Sequence, residues 1–298
     1  MKFKKQYQWI AVLGFFFIIL FGVFIRFERI NGQTMEKSLM NEEFVIISKY
    51  KYGIRIPFIN NLIFNTGKPD RGELLAFHYP LLQDIPVSKK PIIISRCVGL
   101  PGDTLRITEK HIFISKDTFI EPVNIQWKYR MFIDKNNFTH DFLAEHKINE
   151  GGRVNDVGLY DFPLTKSQFE KLKFDKRVSG LRVLKSKMNH RKQKIFPSSP
   201  YFAFTSDNFG PVVVPLKGWT IPINIRNIGL YDRIISQYEG NTLKTNYEQV
   251  FINGEEAFSY TFKKNYYFVL DDNRDFAEDS RHWGFLPEDH IIGETHQF

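Results

Sequence analysis

The stretch that decides the fold is IISRCVGLPGD, residues 93–103. It opens with apolar and β-branched side chains, a pattern typical of a buried strand, and we assign that strand to Ile92–Gly99. Residues 99–103 then have the glycine and proline spacing of a tight turn. The apolar pattern resumes at Thr104–Ile107. The sequence therefore predicts two strands joined by a short turn.

Other short apolar runs, separated by glycine, proline and asparagine, predict a mainly β protein. These strands are expected at Phe44–Ser48, Leu74–His78 and Tyr266–Leu270. The pair Asn253-Gly254 lies between two β-forming runs, which is the strongest short signal for a hairpin. Helices are predicted at Thr165–Phe174, which starts with a capping residue, and at Asn227–Tyr238, where apolar residues have helical spacing.

Near the N-terminus there is a long uncharged stretch, residues 9–25 (WIAVLGFFFIILFGVFI). At about 17 residues it has the minimum length of a membrane-spanning helix, and no small-residue cleavage site follows it. Three lysines precede it, whereas two arginines and a glutamate follow, so its N-terminal side is more positive. We therefore predict a cytoplasmic tail at 1–8, a single transmembrane anchor at 9–25, and an extracytoplasmic main domain.

The composition argues against several classes of protein. Cys97 is the sole cysteine, which rules out an intramolecular disulfide and a cysteine metal cage. The eight histidines have no metal-ligand spacing, so we predict no metal and no cofactor. The net charge of +8 suits an anionic membrane lipid. Because no nucleic-acid-binding signature is present, nucleic acid is not an expected partner.

Three blocks carry the candidate functional residues: 31–39 (NGQTMEKSL), 95–103 (SRCVGLPGD) and 271–281 (DDNRDFAEDSR). Together they resemble bacterial type I signal peptidases, the membrane-bound serine–lysine proteases that cut signal peptides from exported proteins. The resemblance implies a β-rich core made of residues 26–116 and 249–298. Residues 117–248 have no motif tied to chemistry, and we predict that they form an inserted α+β lobe.

In that family the first block is S-x-S-M-x-P-T-L. Its second serine attacks the peptide carbonyl, and its first serine donates a hydrogen bond to the oxyanion. Here Thr34 stands at the position of the attacking serine and Gly32 at that of the oxyanion donor. The resemblance also implies that Met35 and Gln33 contact the substrate.

The family's second block, K-R-x-V-G-L-P-G-D, begins with the general base, but this chain has Ser95 there. The third block, G-D-N-R-D-x-S-x-D-S-R, contains a serine that supports the lysine, and this chain has Ala277. A hydroxyl nucleophile needs an adjacent base, and no amine or imidazole replaces the lysine. The resemblance therefore implies a paralogue with degenerate catalytic residues. The family's structural residues remain, and we predict that they form an ion-pair cluster under the site: Asp272, Arg274, Asp279 and Arg281.

Three functions are compatible with this pattern. The first is an inactive, signal-peptidase-like protein of the bacterial inner membrane that retains a groove for extended signal-peptide segments of preproteins. It would assist the export machinery or a competent signal peptidase as an accessory subunit. The second is an active signal peptidase that uses Thr34 with a base from elsewhere. The third is a membrane scaffold whose middle lobe binds a protein partner.

Overall fold

The computed structural model describes residues 22, 24–52, 54–55, 62–64, 67–82, 84–186 and 195–297, and these form a mainly β protein, as the sequence predicted. The strands are β1 Ile25–Arg29, β2 Phe44–Ser48, β3 Ile54–Arg55, β4 Leu62–Phe64, β5 Leu74–His78, β6 Ile92–Gly99, β7 Thr104–Thr108, β8 His111–Ile114, β9 Asp117–Thr118, β10 Gln126–Ile133, β11 Gly152–Asn155, β12 Leu159–Thr165, β13 Val178–Val183, β14 Phe209–Val213, β15 Thr220–Pro222, β16 Leu243–Thr245, β17 Val250–Ile252, β18 Glu255–Glu256, β19 Ser259–Thr261, β20 Tyr266–Leu270, β21 Leu286–Pro287 and β22 Ile291–Gln297. The α-helices are α1 His140–Glu145, α2 Lys166–Lys173 and α3 Ser280–Trp283. Single 3₁₀ turns occur at Val87–Lys89, Ile228–Leu230 and Glu288–His290, and a π-helical turn at Ile234–Tyr238.

The largest sheet has seven strands in the order β1-β2-β22-β5-β6-β20-β21, and all of its pairings are antiparallel. Its strands β2, β5, β6 and β20 confirm the predicted strands at those positions. β20 is buried at every position, because hydrophobic clusters pack against both faces of the sheet there. The sheet is therefore well packed on both faces where β6 and β20 pair.

A second sheet, β11-β12-β10-β13, packs against α1 and α2 around its own apolar cluster. α2 confirms the helix predicted at Thr165–Phe174. It starts with a capping box, in which Thr165 accepts from the Gln168 amide and the Gln168 side chain accepts from the Thr165 amide. A third sheet, β14-β7-β8-β9, brings Phe209–Val213 beside Thr104–Thr108.

The predicted hairpin at Asn253-Gly254 is confirmed. β17 and β18 are antiparallel, and the two turn residues have φ values of 54° and 89°. Two consecutive residues with positive φ form the primed turn that fits the twist of the flanking strands.

The prediction of one continuous helix at Asn227–Tyr238 is wrong. The segment forms a 3₁₀ turn followed by a π-helical turn, although its apolar residues are buried as their spacing implied. A Cβ added at Gly229 would lie 3.1 Å from the Cβ of Ser199, so the backbone is packed tightly against a neighbouring loop. Tertiary packing here has overridden the helical pattern.

The predicted anchor at 9–25 falls almost wholly outside the described residues. Gly22 and Phe24 are helical in conformation, and β1 begins at Ile25, the last residue of the predicted span. Among the residues that the structure describes, no helix has the length and apolar character needed to cross a membrane.

Candidate active site

Three chain segments meet at the floor of the large sheet. The loop between β1 and β2 carries Thr34, β6 carries Ser95, and Asp271 directly follows β20. Leu270 is paired with Arg96, so the next residue, Asp271, arrives opposite Ser95. The strand register therefore explains how residues so distant in sequence come together.

The loop that carries Thr34 is tied to the third block by backbone and side-chain hydrogen bonds. The Asn273 amide donates to the Thr34 carbonyl at 2.9 Å, and Asn273 Nδ2 donates to the Gln33 carbonyl at 3.1 Å. The Asp272 amide contacts the Met35 sulfur at 3.2 Å. These contacts hold Thr34 beside the end of β20.

Asp271 is the centre of this arrangement. Its side chain is buried, and Ser95 Oγ donates to its Oδ1 at 2.5 Å. The Thr34 hydroxyl lies close enough to the same carboxyl group to lower its pKa, and both residues line one cleft. The hydroxyl at the family's nucleophile position thus lies beside a carboxyl group.

The environment of Asp271 disfavours its charged form. The pKa of Asp271 is raised to about 7, chiefly by burial and then by the nearby Asp279 carboxylate, whereas the Ser95 and Thr34 hydroxyls and Arg281 lower it. The carboxyl group therefore gains and loses its proton close to neutral pH.

Of the four structural residues, Asp279 and Arg281 form an ion pair with each other, and Arg281 Nη2 also donates to the Arg274 carbonyl at 2.5 Å. Asp279 accepts from Arg281 Nε at 2.9 Å and from Nη2 at 2.7 Å, and it also accepts from the Asp271 amide at 3.2 Å. Although burial opposes it, the Arg281 guanidinium holds the pKa of Asp279 well below its usual range. Asp279 therefore remains a fixed negative charge behind Asp271.

Asp272 and Arg274 have other partners. Asp272 accepts from Arg96 Nε at 2.9 Å and Nη2 at 2.5 Å, and it also accepts from the Ser38 hydroxyl. Arg274 is fully buried and lies with its Nη1 3.1 Å from Glu121. Both carboxylate–guanidinium contacts join the third block to different parts of the fold.

Gly32 and Ala277 lack the hydroxyl groups that the family has at their positions. Gly32 has a φ of 112°, which favours glycine, and its amide donates to Asn41 Oδ1 at 2.9 Å. Ala277 is buried. Neither residue therefore brings a side-chain hydroxyl to Thr34.

A cleft of about 280 Å³ opens over Thr34 and Asp271. Gly32 and Met35 line it on the side of the β1–β2 loop, and Ile92–Ile94 of β6 form an apolar wall. Charged side chains line the cleft as well: Glu28, Arg29 and Glu278. Of the two predicted substrate contacts, Met35 lies in the cleft wall, whereas Gln33 has an exposed side chain.

In the described part of the chain, the one group of three potential metal ligands is Glu145, His146 and Asp175. Arg177 donates to Asp175 and to Glu145, so its guanidinium already neutralises these carboxylates. None of the three lines the cleft. The group is therefore best described as an ion-pair network.

Asp271 was not predicted from the sequence, where only an amine or an imidazole was considered as a replacement for the lysine. A signal was present, because Asp271 occupies the glycine position of the family pattern G-D-N-R-D in a chain that also has Ser95 in place of the lysine. In the structure, Asp271 lines the same cleft as Thr34.

The mainly β fold, with its cleft over the loop that carries Thr34, agrees with a protein of the signal-peptidase type. Comparison with known families matches residues 4–181 and 213–298 to the family described as "Signal peptidase, peptidase S26". The chain belongs to this family.

Individual relatives agree with that assignment. The signal peptidase I of Buchnera aphidicola subsp. Baizongia pistaciae is 27% identical over 303 aligned residues, which cover 98% of this chain and 76% of that protein. The signal peptidase I of Buchnera aphidicola subsp. Acyrthosiphon pisum is 25% identical over 303 aligned residues, which cover 99% of this chain and 76% of that protein. That of Pseudomonas fluorescens is 32% identical over 108 residues, or 36% of each chain. A solved signal peptidase I from Enterococcus faecalis V583 aligns with 76% of this chain and 96% of its own at 17% identity and a TM-score of 0.28.

Proposed function

We propose that this signal-peptidase-like protein binds exported preproteins at the segment around the signal-peptide cleavage site. The segment lies extended in the cleft over Thr34, and residues 9–25 hold the protein at the bacterial inner membrane. The substrate class comes from the relatives, which are signal peptidases. Recognition of this kind suits a peptidase and also an accessory subunit that presents preproteins to the export machinery.

The observation that carries this proposal is an open strand edge beside the cleft. β5 pairs with β6 from Ile92 to Arg96, but on the other side β20 pairs with β6 only from Arg96 onward. In the described structure, the second edge of β6 is therefore unpaired at Ile92–Ile94, where it borders the cleft. An unpaired edge can accept an extended peptide as an added strand.

The shape and polarity of the cleft agree with a short peptide segment. Its volume of about 280 Å³ suits small side chains, and its wall at Ile92–Ile94 is apolar. β1 is the terminal strand of the seven-stranded sheet, and its residues Glu28 and Arg29 line the same cleft as Ile92–Ile94 of β6. A peptide that enters between β1 and β6 therefore passes directly over Thr34.

Peptide binding to the detergent-solubilised full chain tests this proposal. The probe is a fluorescent synthetic peptide that spans a signal-peptide cleavage site, with a copy N-methylated on its backbone as control. We expect saturable binding of the first peptide and at least tenfold weaker binding of the second, because N-methylation removes donors needed for strand addition. Ile92→Asp should weaken binding, whereas Ile120→Asp, at a side chain that is 90% exposed, should not.

Other outcomes separate the remaining hypotheses. Equal binding of the methylated peptide, or no binding by the wild type, would rule out strand addition at β6. If a stable protein partner that contacts residues 117–248 co-purifies instead of precursor peptides, the scaffold hypothesis gains support. The prediction of an inactive site needs a cleavage assay and stays a prediction.

A further inference from the structure

We propose that Asp271 is the proton acceptor for Thr34, so that the two residues form a threonine–aspartate pair that hydrolyses the bound peptide. This inference rests on the proposed function, because the pair can act only on a peptide held in the cleft. Three observations support it. Thr34 and Asp271 line the same cleft, and Ser95 Oγ, on the neighbouring strand β6, lies 2.5 Å from Asp271 Oδ1. The Thr34 hydroxyl is also close enough to the Asp271 carboxyl group to lower its pKa.

The surroundings of Asp271 suit this role. An ordinary aspartate is too weak a base at neutral pH, whereas a base with a pKa near the working pH is efficient. Burial first, and then the Asp279 carboxylate, raise the pKa of Asp271 to about 7, while Arg281 opposes the rise. The charged groups that share the cleft are Glu28, Arg29 and Glu278.

Ser95 acts as a positioning residue in this scheme. Its hydroxyl donates to Asp271 Oδ1 at 2.5 Å and lowers the pKa of the carboxyl group. This hydrogen bond limits the rotation of the carboxylate beside Thr34. The change from lysine to Ser95 thus leaves room for Asp271 and also orients it.

The reaction balances without a cofactor. As Thr34 Oγ1 forms a bond to the peptide carbonyl carbon, its proton moves to the Asp271 carboxylate. The C–N bond then breaks, and Asp271 returns that proton to the departing amine, which leaves an ester on Thr34. Water attacks the ester carbon, its proton passes to Asp271, and the Thr34 oxygen leaves and regains a proton. One water molecule is consumed, and the products are a carboxylic acid and an amine.

Cleavage of a quenched fluorescent peptide, measured with the full chain in detergent alongside its binding, tests the pair. We expect the wild type to cleave and both Thr34→Ala and Asp271→Asn to lose at least 10³-fold in kcat/KM, a loss of the size seen when a catalytic unit is broken. Because both residues line the cleft, peptide binding is measured on each variant as well, so that a loss of cleavage can be separated from a change in binding. Asp156→Asn, at a side chain that is 97% exposed, is the matched control for the loss of one carboxylate.

The pH profile distinguishes a catalytic role from a structural one. In the wild type, kcat/KM should rise with pH and level off above a midpoint near 7, since the ionised carboxylate is the active form. Ser95→Ala removes a hydrogen bond that lowers the pKa of Asp271, so its midpoint should move to higher pH.

The two proposals fail in different ways. Binding without cleavage at any pH between about 5 and 9 would overturn the Thr34–Asp271 pair and leave recognition intact. Cleavage that persists in Asp271→Asn but not in Thr34→Ala would mean that another group accepts the proton. Absence of binding would overturn both proposals.

Discussion

At the scale of single residues, the ionised Asp271 carboxylate that the proposed reaction needs lowers the stability of the folded protein. Burial raises the pKa of this carboxyl group to about 7, well above the value of about 3.9 expected in the unfolded chain. The folded state therefore holds the proton more tightly than the unfolded state does. Stability from this group is fully present below about pH 4 and is lost as the pH rises to about 7.

We predict that Asp271→Asn removes this pH dependence. Relative to the variant, the wild type should lose about 2–3 kcal/mol in its free energy of unfolding between pH 5 and pH 8, because ionisation is penalised only in the folded state. Urea unfolding at both pH values measures the difference. Asp156→Asn should behave like the wild type, since that side chain is 97% exposed. A variant that follows the wild type at both pH values would contradict a strongly perturbed Asp271.

A second residue-scale prediction concerns restoring the family's lysine. In Thr34→Ser/Ser95→Lys/Ala277→Ser, the new ammonium group would lie beside the Asp271 carboxylate. Each charge favours the ionised form of the other, so the lysine would keep its proton and neither group would be a good base. We expect this triple variant to cleave at least tenfold more slowly than the wild type.

Adding Asp271→Gly to the triple variant removes the carboxylate and completes the family pattern. The lysine is then desolvated without a counter-charge, which lowers its pKa. The same peptide-cleavage assay should show higher activity in the quadruple variant than in the triple variant. Equal rates in the two variants would mean that Asp271 does not control the protonation of the lysine introduced by Ser95→Lys.

At the scale of elements, the central strands of the large sheet could be predicted because they are buried on both faces. Leu74–His78, Ile92–Gly99 and Tyr266–Leu270 are apolar runs bounded by turn residues, and each agrees with an observed strand. The site could be predicted only in part. The blocks identified Thr34 and Ser95, but the contact of Asp271 with both depends on the pairing of β6 with β20, which local sequence does not encode.

The register of β20 against β6 depends on a close approach at Gly99. A Cβ at this position would lie 2.9 Å from the Cβ of Phe268 and 3.0 Å from Val214 Cγ2, so a side chain would force the strands apart. We predict that Gly99→Ala costs about 1–3 kcal/mol in the free energy of unfolding. Since β20 ends just before Asp271, the variant should also lose peptide cleavage. Urea unfolding and the cleavage assay measure the two effects.

Gly152 offers the control for that substitution. Gly152 begins β11, whereas Gly99 ends β6, so both are terminal strand residues, but a Cβ added at Gly152 would meet nothing within 4 Å. Gly152→Ala should change stability by no more than about 0.5–1 kcal/mol and leave cleavage unaffected. If the two alanine variants lose the same stability, tight packing at Gly99 does not set the strand register.

At the scale of the whole molecule, the second sheet and the site support each other. The Gln126 amide donates to the Asp272 carbonyl at 2.8 Å, and the Arg274 amide donates to the Gln126 carbonyl at 3.0 Å. Asn273 Nδ2 also donates to Glu150 at 2.9 Å. Such contacts join residues more than a hundred positions apart, so no local sequence pattern predicts them. They were missed for the same reason as Asp271.

The orientation of the molecule in a membrane remains the prediction with the widest consequences, because a peptidase site must face the side to which preproteins are exported. The chain is well suited to a cysteine-labelling test, since Cys97 is buried and burial raises the pKa of its thiol, which makes it inert.

We expect a membrane-impermeant maleimide to label Ile120→Cys in intact spheroplasts, because that position is 90% exposed. Lys2→Cys should be labelled only after lysis, since the positively charged end stays in the cytoplasm. The wild type, which keeps only Cys97, reports the background. Labelling of Lys2→Cys alone in intact spheroplasts would reverse the orientation and separate the cleft from exported substrates.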